Sequence, residues 1–153
     1  MLKNIIKKQG GFTLLELLIV IVIIGILALL IIPNITSAPK KARDTQRKTD
    51  LKAIQKGLEE YFVSNNVYPS STGTIGTGTV LNELTSGNPP IMKSVPTDPK
   101  NAAPFVYTYT PANSNSTYTL HACLENGGDT GSGVTTDAAC TGTSKAFELV
   151  NNN

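Results

Sequence analysis

The sequence predicts an α+β protein in which a long N-terminal α-helix packs on a small antiparallel β-sheet. Three observations predict this fold class. An almost uncharged apolar segment comes first, a stripe of apolar residues at helical spacing follows it, and alternating strand patterns lie near the end of the chain. The 153 residues suffice for one small core beside the helix, and a net charge of +2 does not indicate a nucleic-acid partner.

The apolar segment, residues 12–32, contains a single charged residue, Glu16. As a helix it extends about 32 Å, enough to cross a hydrocarbon core of about 30 Å. Three lysines and no acid precede it, namely Lys3, Lys7 and Lys8. The positive-inside rule therefore places residues 1–11 in the cytoplasm. Because an acidic side chain in lipid is costly, we expect Glu16 to have a partner.

Two simpler interpretations of this N-terminus are an ordinary signal peptide, cleaved near residues 36–38, and a plain single-span anchor. The apolar region of a signal peptide usually spans about 7–15 residues, and this one is longer. Neither interpretation explains the Gly-Gly-Phe-Thr junction at residues 10–13 or the acid at Glu16.

The run Gly11-Phe12-Thr13-Leu14-Leu15-Glu16 resembles the class III signal of type IV pilins and of the pseudopilins of type II secretion. The resemblance implies a leader, residues 1–11, that a prepilin peptidase cuts between Gly11 and Phe12 before the amine of Phe12 is methylated. It also implies a pilin-like fold. Gly25 and Pro33 fall where many members of the family have residues that weaken or kink the helix.

The chemistry of these residues suits that processing. Gly11 has no Cβ, so its backbone can enter a narrow peptidase cleft in an extended form. Cleavage gives Phe12 a positively charged amine, which we expect to pair with Glu16 of a neighbouring subunit during filament assembly. Such a pair would chiefly set the register between subunits, because desolvation cancels much of the attraction.

The helix is expected to continue through residues 33–65, with interruptions at Pro33 and Pro39. An amphipathic stripe follows the prolines and consists of Leu51, Ile54, Leu58, Tyr61 and Phe62. Basic residues lie among the intervening positions: Lys40, Lys41, Arg43, Arg47, Lys48, Lys52 and Lys56. They form either a solvated face or a surface that pairs with acidic groups of adjacent subunits.

Residues 66–153 are predicted to form a globular head with an antiparallel sheet. The predicted elements are a loop at 70–79, a helical turn at 80–84, and strands at 105–110, 117–124 and 145–150. The first two of these strands are joined by a polar connection and are expected to form a hairpin. His121 falls within the second strand pattern, as an ordinary sheet residue.

The two cysteines, Cys123 and Cys140, both lie in the predicted head. A disulfide between them closes a loop worth about 3 kcal/mol in the chain-entropy model and implies an oxidising compartment. Free thiols are the alternative. Zinc binding by the cysteines is a rival interpretation, but two thiols and the distant His121 fall short of four ligands.

Between the cysteines, residues 125–131 and Asp137 supply carboxylate and amide oxygens among glycines, as calcium loops do. Major pseudopilins have a calcium site in a comparable loop, so the resemblance makes Asp129 and Asp137 candidate calcium ligands. The spacing is not that of an EF-hand, and the same composition is typical of plain loops. No other cofactor is expected.

The sequence therefore predicts a structural subunit, not an enzyme, that polymerises into a type IV pilus-like filament. The alternative is a pseudopilin of a type II secretion or DNA-uptake system, and a more distant one is a membrane-tethered enzyme. The resemblance implies as partners other copies of the chain, minor pilins, the prepilin peptidase and an inner-membrane assembly platform. The precursor would be a single-pass inner-membrane protein, and the assembled form an extracellular pilus or a periplasmic pseudopilus.

Overall fold

A computed structural model of the protein describes residues 11–35, 37–77 and 79–151, without the side chains of residues 30–35. Residues 1–10 of the predicted leader lie outside this description. The chain divides into two compact units, Met1–Ser37 and Ala38–Asn153, here called the N-terminal and the C-terminal unit. The elements are α1 (Leu14–Ile35), α2 (Ala38–Asn65), β1 (Gly73–Thr74), α3 (Glu83–Ser86), β2 (Tyr107–Ala112), β3 (Thr117–Cys123), β4 (Val134–Thr136) and β5 (Lys145–Asn151).

The N-terminal unit contains α1, whose described side chains are all exposed. The helix runs through Gly25 and Pro33 without ending, and it stops at Ile35. The predicted kink at these two residues stays a prediction. Over the described residues, no helix combines the length and the hydropathy that a membrane span requires. The membrane-spanning role of residues 12–32 is likewise still a prediction.

The C-terminal unit begins with α2, which carries the predicted apolar stripe. Leu51, Ile54 and Leu58 are fully buried against the sheet, and Tyr61 and Phe62 pack at the edge of the same core. Pro39 does not interrupt this helix, because it lies in the first turn, where its missing N–H has no helical partner to lose. The helix ends as predicted, with Asn66 in the left-handed conformation at φ 57°.

The sheet has five strands in the order β1-β2-β3-β5-β4, and every neighbouring pair is antiparallel. The hairpin of β2 and β3 and the last strand, β5, confirm the three predicted strands. The sequence did not reveal the two short edge strands. β1 lies in the loop predicted at 70–79, and β4 lies between the two cysteines. Each has too few residues to show an alternating pattern.

The core of the C-terminal unit lies between α2 and one face of the sheet. Alternate residues of the hairpin point into it, with Tyr107 and Tyr109 on β2 and Leu120 and Ala122 on β3, all fully buried. This is the α+β arrangement that the sequence predicts. The opposite face of the sheet carries His121 and Glu148, which are partly exposed partners in the β3–β5 ladder.

Candidate functional site

The predicted processing junction lies just before α1. Gly11 and Phe12 are outside regular secondary structure, and the Phe12 side chain is 87% exposed. No described heavy atom outside its neighbouring residues lies within 4 Å of the position that a Cβ on Gly11 would occupy. The junction is therefore sterically open on the side described, as a peptidase would require. Cleavage between Gly11 and Phe12 stays a prediction.

The carboxylate of Glu16 is engaged at the start of its own helix. Its Oε2 accepts hydrogen bonds from the Thr13 backbone N–H at 2.9 Å and from the Thr13 hydroxyl at 2.8 Å. In return, the Thr13 hydroxyl accepts the backbone N–H of Glu16 at 3.2 Å. This is a capping box, in which Thr13 and Glu16 satisfy donors that a helix start otherwise leaves open.

This local partner was not among the sequence-based predictions, although the pattern Thr-x-x-Glu before an apolar run indicates it. It gives Glu16 a role within a single chain. The predicted pairing with the Phe12 amine of a neighbouring subunit concerns a second role, which requires the charge of the carboxylate.

A second arrangement centres on Arg47, which is 0% exposed. Its guanidinium donates to both carboxylate oxygens of Asp98, at 2.6 and 3.0 Å, and to Asp44 at 2.8 Å. It also donates to Glu125 at 2.9 Å. These four residues are here called the buried ion-pair cluster. Burial alone would lower the pKa of Arg47, but its hydrogen bonds to Asp98, Glu125 and Asp44 raise it overall.

Glu125 lies two residues after the end of β3, and two more cations contact it. Arg43 donates to its two carboxylate oxygens, each at 2.7 Å, and Lys100 approaches at 2.8 Å. The hydrogen bonds from Arg43 are the main reason that the pKa of Glu125 lies well below its usual value, followed by those from Lys100 and Arg47, against the opposing effect of burial. Asp44 completes the link by accepting the backbone N–H groups of Glu125 and Asn126.

These contacts, together with the pair of Lys48 and Asp129, correct both interpretations for three of the seven basic residues on α2. Arg47 is buried, and Arg43 and Lys48 pair with acids of the same chain. These three side chains therefore do not form a solvated face, and their charges are already paired without an adjacent subunit. Lys40, Lys41, Lys52 and Lys56 are exposed. A signal was present in the sequence, because Asp44 and Arg47 extend the buried stripe toward the helix start at the same spacing.

The candidate calcium residues occupy different contacts. Asp129 pairs with Lys48 at 2.6 Å and caps the backbone N–H of Gly131. Asp137 pairs with His121, and the nearby group of potential ligands contains Glu148, without Asp129. The loop carboxylates at Glu125 and Asp129 are thus compensated by basic side chains. Among the described residues, Asp129 and Asp137 do not share a group of potential ligands, and calcium binding by them stays a prediction.

Cys123 and Cys140 form a disulfide with a Cα–Cα distance of 5.3 Å. Cys123 is the last residue of β3, and Cys140 precedes β5. Both cysteines are buried against Ala146 of β5. The bond attaches the segment that contains β4 to the central strand of the sheet.

Two family descriptions match the chain. Residues 6–32 match the prokaryotic N-terminal methylation motif, and residues 34–140 match type II secretion system (T2SS), protein G. The first match contains the processing junction and the capping box, and the second contains the buried ion-pair cluster.

Curated relatives named type II secretion system core protein G are similar to the chain. The Pseudomonas aeruginosa protein is 38% identical over 101 residues, which cover 61% of this chain and 69% of the relative. The Aeromonas hydrophila protein is 36% identical over 100 residues, covering 61% and 68%. The Vibrio cholerae protein is 43% identical over 65 residues, covering 42% and 44%. No solved structure matches the chain.

The matched ranges include the three helices and four of the five strands, so the similarity extends over the two units. The resemblance to pilins and pseudopilins is confirmed, and the chain belongs to the type II secretion system protein G family.

Proposed function

We propose that the chain is a structural subunit of a type II secretion pseudopilus that polymerises through α1 after cleavage between Gly11 and Phe12. Membership in the protein G family supports the alternative prediction, a pseudopilin, over the main prediction of a type IV pilus subunit. In this proposal the chain is a structural subunit and does not catalyse a reaction.

The observation that carries the proposal is the surface of α1. From Leu14 to Leu29 its side chains are exposed and, apart from Glu16, uncharged. A continuous apolar surface of this kind requires cover from outside the N-terminal unit. Lipid covers it in the precursor, and the α1 helices of other subunits cover it in the filament.

The role proposed for Glu16 follows from its contacts. The precursor uses the carboxylate in the capping box with Thr13. A carboxylate offers about four acceptor positions, so it can accept a further donor after cleavage. The amine of mature Phe12 supplies a positively charged donor, and burial among α1 helices makes an unpaired Glu16 costly.

Locations and partners follow from this assembly. The basic leader stays in the cytoplasm, where the prepilin peptidase cuts it and Phe12 is N-methylated. The C-terminal unit faces the periplasm, where its disulfide is stable. Assembly then involves other copies of the chain, minor pseudopilins and the inner-membrane platform.

The decisive experiment separates the charge of Glu16 from its capping role. Glu16→Gln retains a capping box, because glutamine also serves at this position, but it removes the charge. Thr13→Val removes the hydroxyl of the box and retains the charge. Glu16→Leu removes both. Each variant is expressed at native level, its N-terminus is sequenced, and filament content is measured by cross-linking and by immunogold electron microscopy.

We expect all three variants to be cleaved at Phe12. Glu16→Gln and Glu16→Leu should lose most filaments, whereas Thr13→Val should assemble. Normal filaments from Glu16→Gln would contradict the pairing and leave the capping box as the function of the residue. Gold label on filaments outside the cell, at native expression, would restore the type IV pilus interpretation.

A further inference from the structure

Three potential metal ligands converge on the face of the sheet that does not contact α2. His121 of β3 and Glu148 of β5 are directly opposed in the strand ladder. Asp137, just after β4, brings its Oδ2 to 2.8 Å from Nε2 of His121. One ligand atom from each of the three residues lies within 4.8 Å of the other two. The sheet and the disulfide-bonded segment thus meet at these side chains.

The local charge favours a cation. Elsewhere in the C-terminal unit, Asp44, Asp98, Glu125 and Asp129 all form ion pairs with lysine or arginine. Within the described part of the chain, neither Asp137 nor Glu148 forms such a pair. Asp137 instead contacts Nε2 of His121 at 2.8 Å, and their side chains are 29% and 18% exposed. An ion can therefore reach two carboxylates that no described lysine or arginine holds.

The ligands are also held in place. The second oxygen of Asp137 accepts the backbone N–H of Ala139 at 2.8 Å, which orients the carboxylate toward His121. The backbone N–H of Asp137 donates to Ser144, and the disulfide fixes Cys140 three residues further on. Orientation of ligands by such surrounding contacts raises metal affinity.

We propose that His121, Asp137 and Glu148 form a binding site for a divalent transition-metal ion of the zinc class, with water as the fourth ligand. One imidazole and two carboxylates form a ligand set that zinc accepts, whereas calcium needs six to eight oxygens. Tetrahedral bonds of about 2.0 Å place zinc ligands about 3.3 Å apart. That spacing lies between the 2.8 Å contact and the 4.8 Å limit.

A bound ion would join β3, β5 and the segment after β4 at one point. The site lies outside α1, and its existence does not depend on the proposed polymerisation. The disulfide is beside it, with Sγ of Cys140 3.7 Å from Nε2 of His121. Because that sulfur is already bonded, it is not one of the proposed ligands.

The test uses the oxidised full-length chain in detergent, with zinc sulfate as the probe. Isothermal titration should give one zinc per chain, and thermal unfolding should shift upward with zinc. His121→Ala and Glu148→Gln should each weaken binding at least about ten-fold. Glu60→Gln, an exposed acid on α2, is the matched control and should bind as the wild type does.

Replacement of zinc by cobalt(II) should produce visible absorption bands of a tetrahedral site, and His121→Ala should abolish them. Three results would overturn the proposal: no zinc binding by the wild type, unchanged binding by His121→Ala, or calcium competing equally with zinc. Binding that appears only after reduction of the disulfide would also overturn it, because the ligands would then be the cysteine thiolates.

Discussion

Acidic side chains of the two units are compensated in different ways. In the C-terminal unit, Asp44, Asp98 and Glu125 share the buried Arg47, and every charge of this cluster has a partner in the same chain. In the N-terminal unit, the described partner of Glu16 is the nearby Thr13, on a helix whose apolar side chains are exposed. The difference indicates that the acids of the buried ion-pair cluster are compensated within the chain, whereas the apolar side chains described on α1 are left exposed.

The largest effect is expected from removal of the ion pairs that Arg47 forms. Arg47→Ala leaves three buried carboxylates without their common cation, and this should lower the free energy of unfolding by about 3–5 kcal/mol. Chemical denaturation followed by circular dichroism measures the change. Lys52→Ala, an exposed position on the same helix, should change stability by no more than about 0.5 kcal/mol. Equal effects of the two substitutions would show that the cluster does not stabilise the unit.

The disulfide should have the next largest effect. Cys123 and Cys140 are separated by 17 positions, and the bond between them should contribute about 3 kcal/mol to the free energy of unfolding. The paired substitution Cys123→Ser with Cys140→Ser tests this by denaturation. Intact-mass measurement of the wild type should show two hydrogens fewer than the reduced chain. Complete thiol labelling of the exported protein without reduction would refute the bond.

A smaller effect concerns pH and Glu125. Its pKa is lowered in the folded protein, so its contribution to stability is present above the ordinary carboxyl pKa and is lost as the pH falls toward the lowered one. Glu125→Gln should cost about 1–3 kcal/mol at neutral pH and flatten the loss of stability in acid. Denaturation midpoints between neutral pH and pH 2 measure both. An identical acid slope in the variant would place the titration elsewhere.

The smallest expected effect is that of Glu16 on the stability of the C-terminal unit. Since α1 and the C-terminal unit are separate compact units, Glu16→Gln should leave the unfolding of the C-terminal unit unchanged while filaments are lost. Thermal unfolding followed by tyrosine fluorescence reports on this unit, because all five tyrosines of the chain lie in it. A lowered midpoint would mean that the helix start supports the fold, and the filament defect would then be a stability defect.

Much of this fold was predictable because its signals are local. The stripe from Leu51 to Leu58 and the hairpin of β2 and β3 each follow from periodicity within one element. The buried ion-pair cluster was not predictable in the same way. Arg47 lies among other basic residues, and its partners Asp98 and Glu125 are 51 and 78 positions away. Charged residues are normally exposed, so composition alone argued against burial.

The position of β5 in the sheet has a consequence for biosynthesis. This strand is the last of the five along the chain, yet it is hydrogen-bonded on both sides, to β3 and to β4. The sheet therefore cannot be completed until residues 145–151 have left the ribosome. A chain in this state still lacks the Phe147 side chain that fills the core. Until these residues join the sheet, β3 has one neighbouring strand and β4 has none, so the C-terminal unit reaches its full stability only after this strand has been made.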